Sequence, residues 1–352
     1  MSAYPITTYR YDPSTKTFTT KTVDRKLGLN EVLIKTSHSG ICYTDVHAKE
    51  KSCGLGHEGV GIIAAVGDGV KRKRIGDRVG WGWLRSSCGA CPSCVEGYRQ
   101  YCKEARGFAF CDLEQGAFGD YHIIDADFAY HIPESISSVN AGPFMCAGAS
   151  VYEALDAAGI KPSDRVGVVG IGGLGHMAVL FAKAMGCAVT AITGKYSPEK
   201  RALLKELGAD EYRSLEDIEK AEMLGSDDSN TSSDKPWADH SGINVLLITA
   251  NETPDFDRIL PLLARRATII LMSIQQQPLP IPYMPFILPG HKLIASTEAS
   301  ERSHIDMLEF AARHRIQPLV EIFPMTEKGV KEAFDKLESG QMRFRGVLEV
   351  PQ

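Results

Sequence analysis

Long apolar runs, a positive balance of charge and a paired cysteine framework are all missing from this sequence. Each absence removes a class of function. No uncharged stretch approaches the ~20 apolar residues that span a bilayer. Lys and Arg number 39 against 44 Asp and Glu, a net charge of −5, so the chain offers no basic field to nucleic acid or an anionic membrane. The one basic cluster, Lys71-Arg72-Lys73-Arg74, is too short to alter that and reads as a solvated turn. Residues Met1 to Thr8 lack a charged-then-apolar signal pattern, which makes the cytosol the expected location. The nine cysteines are odd in number and are not spaced as a disulfide framework. No internal repeat is visible.

At 352 residues the chain is long enough for two domains, since single cores stop growing at roughly 250–300 residues. The stretch from Gly40 to Glu58 is the densest in chemistry. It brings together Cys42, Thr44, Asp45, His47, His57 and Glu58. Cys42 and His57 are too far apart for a zinc-finger knuckle but suit a site assembled from separate loops. A catalytic zinc needs three protein ligands and one open position. These two residues supply two candidates, and the third must come from elsewhere.

Four cysteines form a compact series, Cys88, Cys91, Cys94 and Cys102. Four soft thiolates in a closed tetrahedron suit a structural Zn²⁺. An iron–sulfur cluster is the rival reading, although the proline that often follows a final cluster cysteine is absent, since Lys103 follows Cys102. Cys53, Cys111 and Cys187 read as small buried or loop residues.

The first 150 residues read as β-rich. Glu31–Ser37 and Val60–Val66 are apolar strands, and Gly76–Gly80 and Gly116–Asp120 are turn signals. A small-residue segment, Asn140–Gly148, precedes a helix expected over Ser150–Ala158. It contains Cys146, which is both a candidate third zinc ligand and a plain core cysteine.

The pattern changes after Pro162. Strand Arg165–Val169, the turn Gly170, Gly172, Gly173, Leu174, Gly175, a helix over His176–Met185 and strand Ala188–Thr193 form a dinucleotide-binding unit. Its glycines admit a pyrophosphate to the unpaired N–H groups of a helix N-terminus. Further alternation follows: helix Glu199–Leu207, strand Asn244–Thr249, helix Asp255–Leu263 and strand Ala267–Met272. Such repetition argues a parallel sheet with helices on both faces.

Another absence bears on the cofactor. An Asp or Glu at the end of the second strand would accept from the ribose 2′-OH of NAD. Here Thr193-Gly194-Lys195-Tyr196-Ser197 carries no acid before Glu199, and its hydroxyls and lysine favour the extra phosphate of NADP(H). The bland alternative is a solvated Lys195. The polar run from Gly225 to Pro236 reads as a flexible loop without chemistry. The proline-rich segment Pro278–Pro285, with Pro289-Gly290, is expected to cross between domains or to lie at a subunit contact. Helices over Leu308–His314 and Lys328–Ser339 and a strand over Met342–Val350 close the chain.

Taken together, these motifs resemble the zinc-dependent medium-chain alcohol dehydrogenases, most closely the cinnamyl-alcohol-dehydrogenase-type branch. The resemblance rests on Gly40-Ile41-Cys42 with Thr44-Asp45, Gly56-His57-Glu58, Gly76-Asp77-Arg78-Val79, the four-cysteine lobe, Met145-Cys146-Ala147-Gly148, Gly170–Gly175 and Arg343-Phe344-Arg345. It implies an α/β chain: a GroES-like β-rich catalytic domain from residues 1–150 and 287–352, with a structural-zinc lobe at about 86–103, and a Rossmann doubly wound parallel-sheet domain from 151–286. Two zinc ions per chain are implied. Cys42, His57 and Cys146 match the catalytic set, the Cys₂His arrangement that is the standing example for alcohol dehydrogenase. Relatives are commonly homodimers.

The resemblance also assigns roles. Zinc beside a nicotinamide polarises an aldehyde oxygen or acidifies an alcohol, and hydride passes between that carbon and NADP(H). Thr44 matches the hydroxyl that contacts the reacting oxygen, and His47 the histidine that ends a proton relay to solvent. Asp45 is expected on the free ring nitrogen of His57. Glu58 either replaces water on zinc transiently or pairs with Arg345, which matches an arginine near the cofactor phosphates; pairing is the expected resting state. Trp83 matches an aromatic position lining the substrate pocket, and Trp81 is a candidate to join it.

Two departures stand out. Tyr43 replaces a histidine or arginine common beside the ligand cysteine. The loop from Ala48 to Gly56 is short and lacks the usual Pro-Gly before His57, which suggests an entrance for bulkier aldehydes. The expected function is reduction of aromatic or other bulky aldehydes to primary alcohols with NADPH. Reduction of an activated C=C or C=N bond is the alternative, disfavoured by the intact Thr44 and His47. A non-catalytic zinc- and nucleotide-binding protein is disfavoured by an open zinc site that structure alone does not require.

Overall fold

The computed structural model describes residues 3–217, 242–275 and 277–351. The polar run expected at Gly225 to Pro236 lies outside these residues. The chain divides into two compact units, one of residues 1–149 and 298–352 and the other of residues 150–297.

The first unit is built on a seven-stranded sheet. Val320–Pro324 pairs in parallel with Arg345–Glu349, which runs antiparallel to Glu31–Ile41. Glu58–Val66, Arg78–Trp81 and Tyr130–His131 follow in antiparallel order, and Tyr121–Asp125 also pairs with Glu31–Ile41. Glu31–Ile41 therefore shares its length among three partners. Register shifts at Leu33/Ile34 and Thr36/His38 bend it, as bulges do when one strand must change partners. The strand outruns the expected Glu31–Ser37 because Gly40 and Ile41 pair with Val347 and Gly346 of the C-terminal strand. That pairing sets the position of Cys42.

Beneath this end of the sheet lies a core of Ile41, Leu55, Phe108, Phe118, Phe334 and Leu348, all essentially inaccessible. Burying each large side chain contributes roughly 1.5–3 kcal/mol. Phe334 lies 4.8 Å from Phe18 with the rings tilted by 34°, and meets Phe118 edge-on at 6.4 Å. Helix Glu327–Glu338 supplies Phe334, Val330 and Leu337 from one face, the i, i+4, i+7 spacing of an amphipathic helix.

The second unit carries an all-parallel six-stranded sheet. Its strand order is Glu211–Ser214, Ala188–Thr193, Arg165–Val169, Ile243–Ile248, Leu263–Leu271 and Lys292–Ala295. Near-continuous Val, Ile and Leu in the central strands fits burial on both faces. The Rossmann arrangement is present.

Three local expectations change. The helix expected at Asp255–Leu263 is only Phe256–Ile259 followed by a 3-10 turn at Leu260–Leu262, because Pro261 has no N–H to continue the ladder. The proline-rich segment does not cross between domains. It forms a short helix, Tyr283–Ile287, and leads into strand Lys292–Ala295 of the same sheet. That sixth strand carries the second unit to Thr297 rather than to residue 286. Among the described residues no helix is long and apolar enough to cross a membrane.

Candidate metal and cofactor sites

Cys42 caps helix Tyr43–Ala48. Its Sγ accepts the Thr44 N–H at 3.3 Å, while the Asp45 carboxylate reaches back to its own N–H at 3.0 Å. A cysteine in this capping box is pinned in both backbone and side chain. Asp45 is fully buried. Its other oxygen accepts from the Gly56 N–H and lies on His57 Nδ1, both at 3.1 Å. With Nδ1 so engaged, His57 turns Nε2 to within 3.3 Å of Cys42 Sγ. Phe108 stacks on the imidazole at 5.0 Å and fixes its plane.

Cys146 arrives on a π-helical turn, Phe144–Gly148, whose wider backbone interrupts two α-helical segments. Donor atoms of Cys42, His57, Glu58 and Cys146 all lie within 4.8 Å of one another. Cys42, His57 and Glu58 are buried and Cys146 is half-buried.

Glu58 shows how tightly the cluster is packed. Its Oε1 accepts from Arg345 Nη2 and stands 3.8 Å from His57 Nε2, while its buried Oε2 has no hydrogen-bond partner among the described residues. A Cβ on Gly40 would fall 1.9 Å from that oxygen, so only glycine leaves room for it. The residues present fit a zinc ion: two thiols, one imidazole with its far nitrogen on a carboxylate, and an orphaned carboxylate oxygen nearby.

Protonation reflects the crowding. The Cys146 thiol donates to Cys42 and, with His57 adjacent, holds the Cys42 pKa well below that of a free thiol; burial opposes this. Cys146 is driven well up by the same contact and by burial. Burial opposes charge on His57, but Asp45 and Cys42 outweigh it and raise its pKa. Burial pushes Glu58 up to about 7 against the pull of Arg345. A divalent cation would displace these shared protons.

The second cysteine group also converges. Sγ of Cys88 is 3.5 Å from that of Cys102 and 3.9 Å from that of Cys94, and all four sulfurs lie within 4.8 Å of one another. A tetrahedron with Zn–S bonds of about 2.3 Å has edges of about 3.8 Å. That spacing suits one ion; an iron–sulfur cluster places several iron and sulfide atoms between its thiolates and spreads them further apart. Pro92–Val95 forms one helical turn from Cys91, and little other regular structure supports the lobe.

In the second unit, Gly172 caps helix Gly173–Ala184. A Cβ on Gly175 would meet the Gly170 carbonyl at 2.1 Å, whereas one on Gly172 would meet nothing within 4 Å. The turn is thus packed on its strand side and clear over the helix N-terminus, where a pyrophosphate would be held. Gly194 is likewise clear, and Lys195 is exposed with no carboxylate partner among the described residues.

Two of the expected site residues, Trp81 and Thr193, are taken up by the protein's own packing and hydrogen bonds. Trp81 is fully buried and stacks on His122 at 4.8 Å, so it is a core residue and lines no substrate pocket. Trp83 is half-buried, edge-on to Phe110 at 6.0 Å. The Thr193 hydroxyl is 7% exposed and bonded to the Lys195 carbonyl and the Tyr212 hydroxyl, both at 2.9 Å, so it is not free for a ribose. Arg345 is 4% exposed and pairs with Glu58, the resting arrangement expected of the two. Thr44 is half-buried and His47 exposed on the same short helix, three positions apart and therefore on one face. The sequence reading missed Phe108, whose contact with His57 no motif announces, and Tyr212, which organises the 193–197 turn.

Comparison with known proteins agrees with this arrangement. Residues 28–134 match the alcohol dehydrogenase GroES-like domain, and residues 173–313 match the zinc-binding dehydrogenase family. An alcohol dehydrogenase of Geobacillus stearothermophilus is 33% identical over 333 residues, 92% of this chain and 94% of that protein. The aldehyde reductase AdhA of Synechocystis sp. is 32% identical over 329 residues, 92% of each. A cinnamyl alcohol dehydrogenase structure from Sorghum bicolor superposes with a TM-score of 0.86 at 28% identity, covering 98% of both chains. The chain belongs to the zinc-dependent medium-chain alcohol dehydrogenases, of cinnamyl-alcohol-dehydrogenase-like type. Oxidoreduction between alcohols and aldehydes is the activity this membership supports.

Proposed function

We propose that this chain reduces aldehydes to primary alcohols with NADPH at a zinc site formed by Cys42, His57 and Cys146, with aromatic or other bulky aldehydes as substrates. The convergence of those three donors, with Thr44 two residues after Cys42, carries the reading. Cys88, Cys91, Cys94 and Cys102 would hold a second, structural zinc. Gly170–Gly175 would hold the dinucleotide and Lys195 the 2′-phosphate.

When bound, the zinc ion supplies Lewis acidity and the nicotinamide supplies hydride. The protein's own residues do the rest. Asp45 holds His57 with Nδ1 committed and Nε2 facing the donors. Glu58, neutralised by Arg345, keeps a carboxylate oxygen beside the cluster. The half-buried Thr44 hydroxyl would give a proton to the substrate oxygen, and the exposed His47 would restore one from solvent. The short loop 48–56, whose Cys53 and Leu55 are buried, leaves little chain to cover bulky substrates.

The test is cofactor-stripped, zinc-loaded enzyme assayed with NADPH and NADH against a panel from acetaldehyde to large aromatic aldehydes. Alcohol product, formed faster with NADPH and with the larger aldehydes, is expected. Saturation of an enal C=C bond with the carbonyl left intact would overturn the reading.

A further inference from the structure

Glu298 begins the second stretch of the first unit and has no place in the roles above. Its φ of +56° lies in the left-handed region, which a non-glycine residue occupies only where its surroundings hold it there. The residues that follow supply the hold. Ala299 and Ser300 are buried, and the Ser300 hydroxyl caps helix Glu301–His314 by accepting the Ser303 N–H at 3.1 Å. The helix that this cap starts packs on the Cys146 turn: His304 Nε2 lies 3.4 Å from the Met145 carbonyl and its ring stacks on Tyr130 at 4.4 Å. The half-buried Glu298 at its head is close enough for its charge to act on Cys42, His57, Cys146 and Tyr130.

Common explanations for such a carboxylate do not apply. Glu298 forms no ion pair with any described residue, and it lies outside the donor group gathered within 4.8 Å. Nor is it the helix cap, since Ser300 is. Among the described residues the neighbouring Ala299 amide is the one donor that faces it, while burial pushes its pKa up to about 7. The charges around it are otherwise balanced. Two thiolates would cancel a divalent ion, Arg345 cancels Glu58, and Asp45 is held by three hydrogen bonds. One anionic group is left over near the metal donors. A half-buried carboxylate without a partner is costly unless a cation or donor completes it.

We propose that Glu298 is a specificity residue that receives an ammonium group of the substrate, so that the preferred aldehydes and alcohols are amine-bearing. This inference rests on the function proposed above and names its substrate class. The charge-assisted contact forms on binding and is retained through the reaction, so it acts chiefly on KM.

Two aldehydes matched in shape test it: para-(dimethylaminomethyl)benzaldehyde, cationic at neutral pH, and neutral para-isobutylbenzaldehyde. The wild type is expected to show the higher kcat/KM for the cation. Glu298→Gln is expected to lower the cation-to-neutral ratio by roughly 10- to 100-fold, mostly through KM, and Glu298→Asp to retain part of the preference. Glu298→Gly, which suits a positive φ, provides a second variant free of backbone strain should the glutamine variant fail to fold. Calorimetric binding of the two corresponding benzyl alcohols to zinc-loaded protein gives the same comparison without turnover. If neither aldehyde is consumed but the cationic alcohol binds more tightly and loses that advantage in the variants, the catalytic reading fails and the Glu298 assignment stands. An unchanged ratio in both variants, or a wild type that favours the neutral partner in both rate and binding, would overturn it.

Discussion

Asp45 and His57 are locked together inside the first unit: Oδ1 of Asp45 lies 3.1 Å from His57 Nδ1, and neither side chain is more than 1% exposed. The other Asp45 oxygen holds the backbone of Cys42. One carboxylate therefore orients two of the three proposed zinc donors.

Asp45→Asn should disturb both donors while changing few atoms. An amide can turn its oxygen either to the Cys42 N–H or to Gly56 and His57, but not to both sides, and ligand orientation should loosen. Zinc affinity at this site should fall roughly 10- to 100-fold, the usual effect of losing an outer partner of a metal ligand. Competition with a chelator measures it, with the four-cysteine site as internal control. Unchanged affinity would show that the Asp45–His57 contact is incidental.

Gly40→Ala places a methyl 1.9 Å from Glu58 Oε2 in a fully buried setting. Either the Glu58–Arg345 pair or the strand pairing of Gly40 with Val347 must give way. A destabilisation of about 1–3 kcal/mol is expected from such overpacking. Denaturant unfolding of the zinc-loaded protein would register it as a lower midpoint, and an unchanged midpoint would mean that Glu58 moves freely.

The polar links of the first unit predict an acid-sensitive step. Burial acts to raise the Asp112 pKa, but hydrogen bonds and charge from Arg25 outweigh it and hold it below the ordinary carboxylate value. Arg25 Nη2 reaches Asp112 Oδ2 at 2.6 Å. A lowered folded-state pKa means that this stabilisation is present above about pH 4 and lost as pH falls through the folded value. Asp112→Asn should cost about 1 kcal/mol at pH 7, a partly exposed pair being worth no more. The difference from wild type should close below about pH 4, and a gap constant with pH would exclude the ion pair as its source.

Lys195→Ala should raise the KM for NADPH roughly 10-fold and leave that for NADH nearly unchanged, the loss of one charge-assisted contact to a phosphate. Parallel initial-rate measurements decide it. Equal effects on both cofactors would place Lys195 away from the 2′-phosphate.

What was legible in the sequence follows the range of the forces involved. Cys42, Asp45 and His57 could be read together because a capped helix and a short loop join them within a few turns of chain. Cys146 could not be chosen over a plain core cysteine by spacing alone, since it returns to the cluster from a distant π-helical turn. The glycine-rich turn was clear because close packing of Gly175 on Gly170 is a local demand. Trp81 misled because nothing in a strand pattern tells which face meets His122. Thr193 misled because Tyr212, from the next strand, takes its hydroxyl. Strand Lys292–Ala295 hid behind prolines, and only its pairing with Leu263–Leu271 reveals it. Glu298 belongs to no motif; its significance comes from φ and from what surrounds it.

The most direct test of the proposed zinc chemistry is metal content and NADPH-dependent aldehyde reduction measured together on wild type and Cys42→Ser. The wild type should carry two zinc ions per chain and the variant one, with aldehyde reduction lowered at least ~1,000-fold, about 4 kcal/mol of transition-state stabilisation. Full aldehyde reduction by Cys42→Ser, or a wild type whose only zinc is the four-cysteine one, would contradict it.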